Sequence, residues 1–243
     1  MVAPTDTASR LTGILYSATI LSMTGKGLFI TGTDTGVGKT FVTSLIVKAL
    51  KEKGIDVGVM KPVETGCRIK NGILKPSDAL FLKKIADIDD NLDIINPYRF
   101  KEPVTPSAAA RKNNRQIKLS KIRDCYKKLA SRHDFIVVEG AGGLLVPLNS
   151  KETIADLIKL LKLPVIIVAA SRLGAINHTL LTVRCAKQLG IKIHGIIFNN
   201  ITEQKKSSPR LKPSGTGLMN MEEVKRFTDA PIIGEIPFAK RHL

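Results

Sequence analysis

The segment Gly32-Thr33-Asp34-Thr35-Gly36-Val37-Gly38-Lys39-Thr40 carries the residue types needed to hold a polyphosphate. Glycines let backbone N–H groups crowd around an anion, a lysine reaches the outer phosphate oxygens, and a hydroxyl serves magnesium. Lys39 and Thr40 fill the last two roles. Five residues separate Gly32 from Gly38, so the loop is a long variant of the usual phosphate-binding pattern. Further chemistry-bearing residues recur after apolar runs: Lys61-Pro62-Val63-Glu64-Thr65-Gly66, Glu139-Gly140-Ala141-Gly142-Gly143, Asn199-Asn200 and Glu235-Ile236-Pro237-Phe238. Ser77-Asp78 opens a further helical stretch. Lys61 is aimed at the phosphates, and the turn after Glu139 is flexible and rich in N–H groups.

The elements that must position these residues read as repeated β-α units. Continuous apolar runs at Gly27–Thr31, Val57–Val63, Phe135–Val138, Val165–Ala169, Gly195–Phe198 and Ile232–Ile236 predict strands buried on both faces of a parallel sheet. After Lys39, the residues Val42, Leu45, Ile46, Ala49 and Leu50 share one helical stripe that Gly54 stops. A second helix is expected from about Asn177 to Leu189, with Gly190 as its stop. The predicted fold class is α/β: a doubly wound, mainly parallel sheet with helices on both faces, of the P-loop NTPase type. Ligands of such sheets gather at the carboxyl ends of the strands, where every motif above lies. Residues 27–243 are expected to form one domain. Residues 1–26 are expected to be a disordered extension, or translation to begin at Met23, with a signal or transit peptide as the alternative. The segment Thr202–Gly217, rich in Lys, Ser, Pro and Gly, predicts a mobile surface loop without an assigned role.

Composition narrows the partners. The net charge of +17 gives a field attractive to anions, so ATP, nucleic acid and an acidic membrane all come into view. Trp is absent and aromatics are few, against a base-stacking platform. The basic run Arg111, Lys112, Arg115, Lys118, Lys121, Arg123, Lys127, Lys128 and Arg132 spreads around a helix rather than forming one stripe, and reads as a solvated face. Leu11–Met23 is too short and polar to span a bilayer. Cys67, Cys125 and Cys185 form no CxxC pair and read as packing thiols of a reducing cytoplasm. His178 is expected to pack or cap rather than act as a base, and His133 and His194 show no partner pattern.

The series GTDTGVGKT, KPVETG, SDA, NPYRF…PVTPSAAA, VEGAGGLLVPL, RLGAINHTLLT and GEIPF resembles the dethiobiotin synthetase family from about Gly27 to Phe238. The resemblance implies a ring-closing ligase. One amine of 7,8-diaminopelargonate captures CO2 as a carbamate, ATP phosphorylates it, and the second amine closes the urea, releasing phosphate and leaving dethiobiotin and ADP. Lys39 and Lys61 would be catalytic, and Thr40, Asp78 and Glu139 would hold Mg2+. Gly36, Val37, Gly38, Lys39, Thr40, Phe41, Gly140, Ala141 and Gly142 would surround the phosphates and metal. Asn199, Asn200, Pro237, Phe238 and Ala239 would frame the adenine. Thr65 and Gly143 would touch the substrate, and Gly174, Ala175, Ile176 and Asn177 would receive its carboxylate from a neighbouring subunit of a homodimer. Partners are then small molecules rather than nucleic acid or membrane. The chain stops at Leu243, soon after the last strand. A final helix and further nucleotide contacts would be expected there, so weakened nucleotide affinity or selectivity follows. The rivals on the same fold are a ParA- or MinD-like switch ATPase and a cobyrinate amidation enzyme. Switch ATPases usually carry an extra lysine early in the phosphate loop, where this chain has Thr33 and Asp34.

Overall fold

The computed structural model describes residues 26–201 and 216–238. The expectations for residues 1–25, for 202–215 and for Ala239 lie outside the described residues. Six strands form one sheet: β1 (Gly27–Gly32), β2 (Val57–Met60), β7 (Phe135–Gly143), β8 (Val165–Ala170), β9 (Ile193–Asn199) and β10 (Ile232–Ile236). Their order is β10-β9-β8-β1-β7-β2, and each neighbouring pair is parallel. Every residue of β1 and β8 is buried. Successive side chains point to opposite faces, so both faces of the central sheet are covered. Four shorter strands stand apart: β3 (Val63–Glu64) beside β6 (Tyr98–Arg99), and the hairpin β4 (Arg68–Lys70) and β5 (Ile73–Lys75).

The helices are α1 (Lys39–Lys51), α2 (Ser77–Ala86), α3 (Leu92–Ile95), α4 (Pro106–Lys112), α5 (Leu119–Ala130), α6 (Ile154–Leu161), α7 (Ala175–Gln188) and α8 (Thr216–Phe227). Within α1, Val42, Ile46, Ala49 and Leu50 are buried, while Leu45 is partly buried against the core. α1 rests on β1, β2 and β7 and beside α2, while α7 and α8 flank β8, β9 and β10. The chain leaves β1 toward β2 at one edge, then returns through β7 to β8 on the other side. Strand order therefore reverses around β1, and the crevice expected at such a reversal lies beyond its carboxyl end.

Three sequence expectations need correction. Val57–Val63 is two strands, because Pro62 has no N–H for the ladder and Lys61 N–H instead donates to Ile95 O at 2.9 Å. The turn expected at Gly140–Gly143 is the end of β7, with Gly32 paired to Gly143. Thr216 and Gly217 begin α8 rather than closing a loop.

His133 also acquires partners that its local sequence did not announce. Its Nδ1 lies 2.9 Å from Asp56 and its Nε2 2.6 Å from Asp90, which also accepts from Arg132 at 2.7 Å. Burial pulls the imidazole pKa down, but the two carboxylates outweigh it and hold it above the ordinary value of 6.5. A raised folded pKa stabilises fully below the unfolded value and loses that contribution as pH rises through the folded one. His133→Ala should therefore cost about 1.5–3 kcal/mol near pH 6, the scale of hydrogen bonds to charged groups. Denaturant unfolding should show the penalty shrinking at pH 9; an equal penalty at both would refute the charged bridge.

The basic run is amphipathic. Leu119, Ile122, Cys125 and Leu129 face the core, and the cations lie mostly outside. Arg115 lies over the Tyr98 and Phe100 rings at 5.6 and 5.4 Å, and Lys121 over Tyr98 at 5.0 Å. These charges cover aromatic faces as well as meeting solvent. Cys67, Cys125 and Cys185 are all free thiols, the first two buried.

Candidate active site

The loop after β1 is shaped by backbone needs. Gly38 is the N-cap of α1 with φ 87°, a left-handed conformation that costs glycine least. At Gly32 a Cβ would meet Val37 Cγ2 at 2.8 Å and Lys39 Nζ at 3.2 Å. Any side chain there would displace the lysine. Lys39 Nζ donates to Asp34 O at 2.9 Å, so the ammonium stands over its own loop. Beneath it, Asn199 is fully buried and donates through Nδ2 to Val37 O at 2.8 Å, bracing the loop from the end of β9.

Register explains the next layer. β2 and β7 pair Met60 with Val138, so the residues that follow, Lys61 and Glu139, come side by side although 78 apart in sequence. Lys61 Nζ donates to Glu139 Oε1 at 2.5 Å and to Asp78 Oδ2 at 2.9 Å. Thr40 Oγ donates to the same Glu139 Oε1 at 2.8 Å. Asn96 Nδ2 pins the Lys61 carbonyl at 2.6 Å. Thr40, Lys61, Asp78 and Glu139, assembled from three elements and the connection between β2 and β3, thus form one cluster.

Charge is unevenly compensated here. Lys61 is 5 % and Glu139 0 % exposed. Burial lowers the Lys61 pKa, but Glu139 and Asp78 outweigh it and hold the ammonium above its ordinary value. Asp78 is lowered, because Lys61 overcomes the burial that raises it. Lys39 is pushed down to about 8, first by burial and then by Lys61, with Glu139 and Asp78 opposing. Glu139 Oε2 is buried with no hydrogen-bond partner. The Asp78 and Glu139 carboxylates are matched in number by Lys61 and Lys39, but only Lys61 is hydrogen-bonded to them, and the orphaned Glu139 oxygen is an acceptor that a cation can take. With the Thr40 hydroxyl the donor set is all oxygen, which fits a hard ion such as Mg2+ that takes its remaining ligands from phosphates and water. Among the described residues no three His, Cys, Asp or Glu side chains form a self-sufficient metal cage.

These groups line a cleft of about 1010 Å³. Of the sequence-predicted residues, Gly36, Gly38, Lys39, Thr40, Phe41, Lys61, Thr65, Asp78, Glu139, Ala141 and Gly142 face it. Val37 is core, 1 % exposed. Gly140 and Gly143 lie in β7, where a Cβ on Gly140 would strike the Phe29 ring and one on Gly143 the Gly32 carbonyl, and neither lines the cleft. Asn199, Asn200, Pro237 and Phe238 stand at the ends of β9 and β10, outside the cleft wall. Gly174 caps α7, which Ala175, Ile176 and Asn177 begin, also away from it. The cleft also draws in Thr35, Val63, Glu64, Ser77, Phe81, Pro103–Pro106 and Val146, to which the sequence had assigned no role. A helix that begins after Pro76, without a side-chain oxygen at its cap, was the available signal that its first turn needs a distant acceptor such as Glu64.

A family model described as "AAA domain" matches residues 26–241. The ATP-dependent dethiobiotin synthetase of Thermodesulfovibrio yellowstonii is 42% identical, with 87% of this chain and 88% of that protein covered. Its counterpart in Bacillus licheniformis is 40% identical over 87% and 86%. That of Methanocaldococcus jannaschii is 45% identical over 72% and 80%. Among solved structures, the Aquifex aeolicus MinC:MinD cell division complex superposes with TM-score 0.52 at 18% identity, covering 89% of this chain and 83% of that one. Cell division protein ftsY of Thermotoga maritima gives TM-score 0.52 at 16% identity, covering 92% and 66%. At that identity the two structures speak for the fold alone. Among the described residues no helix is long and apolar enough to cross a membrane.

Proposed function

The chain belongs to the ATP-dependent dethiobiotin synthetase family, and on that premise we propose that its cleft closes the ureido ring of dethiobiotin. The reaction is ATP-dependent ligation on a small molecule. A diaminopelargonate nitrogen attacks CO2 and loses a proton, giving a carbamate. A carbamate oxygen takes the γ-phosphoryl group and ADP departs. The second nitrogen attacks the carbonyl carbon, phosphate leaves, and the five-membered urea remains.

The observation that carries this reading is the convergence of Lys39, Thr40, Lys61, Asp78 and Glu139 on one cleft. Lys39 and the N–H groups of the loop hold the polyphosphate. Lys61 stands between the phosphate loop and the far wall of the cleft, where an ammonium can follow negative charge from carbamate to phosphorylated carbamate. Thr40, Asp78 and Glu139 would hold Mg2+, which would supply charge neutralisation on the phosphates. Thr65 is the substrate contact on the cleft wall. Asn199, with one buried unpaired oxygen, and Asn200, Pro237 and Phe238 make the adenine edge.

The assembly is a homodimer in the cytoplasm. Support comes from side chains around α7: Leu173 is 103 % exposed and Leu181 58 %, an apolar surface beside the Gly174–Asn177 turn. The first turn of α7 offers the N–H groups of Ile176 and Asn177 to the substrate carboxylate of the partner subunit, while the Ala175 N–H donates to Arg172 O at 3.0 Å.

The test is ADP release measured with and without the diamine and bicarbonate. Turnover that needs both supports a ring-closing ligase; ATP hydrolysis indifferent to both would favour a switch ATPase. In the same assay Glu139→Gln should need about 10- to 100-fold more Mg2+ for half-maximal rate, the scale of losing a metal-site carboxylate. An unchanged requirement removes Glu139 from the metal.

A further inference from the structure

α2 begins in a way that its own sequence does not support. Its N-cap is Pro76, which has no side-chain oxygen, and no local side chain caps the first turn. Yet Ala79, in that turn, is fully buried, so its N–H cannot turn to solvent. Glu64 fills the gap from β3, outside the helix. Its Oε1 accepts from Asp78 N–H at 3.0 Å, its Oε2 from Ala79 N–H at 3.0 Å, and Ser77 Oγ lies 3.4 Å from Oε1. Glu64 is itself 5 % exposed. Burial raises its pKa, and Asp78 adds to the rise, so holding a carboxylate here carries a cost that a mere spacer would not require.

The geometry links this cap to the chemistry. Lys61 and Glu64 are three residues apart on one short segment. Lys61 holds the Asp78 carboxylate at 2.9 Å, and Glu64 holds the Asp78 backbone N–H at 3.0 Å. One segment therefore grips both ends of the same residue. Resting on the ligase reading above, we propose that Glu64 is a positioning residue that holds the first turn of α2 so that Asp78 presents its carboxylate to the metal and to Lys61. Although Glu64 lines the cleft, both of its oxygens are taken by the N–H groups of α2, so it acts through Asp78. The relation is that of an outer-sphere partner to a metal ligand, where loss of the partner weakens metal binding more than it harms chemistry at saturation.

The experiment compares Glu64→Ala, Glu64→Gln and Asp78→Asn with the unmodified full chain. Glu64→Ala should raise the Mg2+ needed for half-maximal turnover by about tenfold or more, with kcat at saturating Mg2+ recovering to within about threefold. Glu64→Gln keeps one acceptor and should fall between. In the Asp78→Asn background, Glu64→Ala should change the Mg2+ requirement by less than about twofold, because residues acting in series are not additive. Amide exchange, read without nucleotide or metal, should show protection lost at Asp78 and Ala79 in Glu64→Ala. An equal loss of stability and rate at every Mg2+ concentration, or full additivity with Asp78→Asn, would leave Glu64 as a structural cap and overturn the proposal. If Glu64→Ala does not fold, Glu64→Gln decides: an unshifted Mg2+ requirement overturns it. A lack of diamine-dependent turnover in the unmodified chain instead sinks the ligase reading, and preserved protection at Asp78 and Ala79 in Glu64→Ala sinks the cap independently.

Discussion

Lys39→Ala is expected to abolish diamine-dependent ADP release while leaving the fold intact. The loss should reach about a hundred- to a thousandfold, the scale of removing a preorganised donor from developing charge. The fold should tolerate the change because Lys39 is held in it at a cost. Its ammonium is buried beside a second cation, and burial with Lys61 brings its pKa down to about 8. A lysine whose folded pKa lies below its unfolded value of 10.5 makes the protein more stable as pH rises from about 8 toward 10.5, because the unfolded chain still carries the proton. Lys39→Ala should flatten that rise. Nucleotide binding must restore the proton, since polyphosphate favours ammonium over amine. The ATP dissociation constant of the unmodified chain should climb by up to about tenfold per pH unit above 8, and the variant should show no such slope. Calorimetric titration at pH 7, 8 and 9 decides this. Retained turnover in the variant, or a pH-independent dissociation constant in the unmodified protein, would remove Lys39 from the phosphate site.

Lys61→Met is expected to lose at least about a hundredfold in turnover with only a modest change in ATP affinity, because the phosphate loop stays whole. Its second signature is stability. Glu139 is fully buried and would lose the ammonium 2.5 Å away, and breaking such a pair by removing one partner costs about 3–5 kcal/mol. The raised pKa of Lys61 means its contribution is complete throughout the neutral range and fades only above 10.5, so the unmodified protein should show no pH dependence from it near pH 7. In the variant, millimolar Mg2+ should recover part of the lost stability at pH 8, because a cation can take the place of the missing ammonium beside Glu139. Denaturant unfolding at pH 8, with and without Mg2+, tests the pair. Stability equal to that of the unmodified chain at pH 8 without metal would mean that Lys61 and Glu139 are not coupled as the geometry states.

Much was legible before any coordinates. The uninterrupted apolar runs identify parallel strands because burial on both faces leaves no polar alternation, and β1 and β8 are buried throughout. The phosphate loop is local chemistry: glycines, lysine and threonine are adjacent in the chain and need only a strand before and a helix after. Family motifs placed Lys61, Asp78 and Glu139 near one ligand.

Tertiary structure decided the rest, because the deciding contacts join residues far apart in the chain. Strand order sets β7 beside β2, and that adjacency, absent from any local period, brings Lys61 to Glu139. Pro62 broke a run that hydrophobicity alone would continue. Gly140 and Gly143 can belong to β7 because neither has a side chain to strike Phe29 or the Gly32 carbonyl of β1, while Gly142 between them holds a left-handed φ of 67°. Glu64 had no assigned role and His133 no partner pattern until folding gave each two hydrogen-bond partners far away in the chain. Local sequence encodes which face of each element is apolar; only the packed sheet determines which charges must neutralise one another away from water.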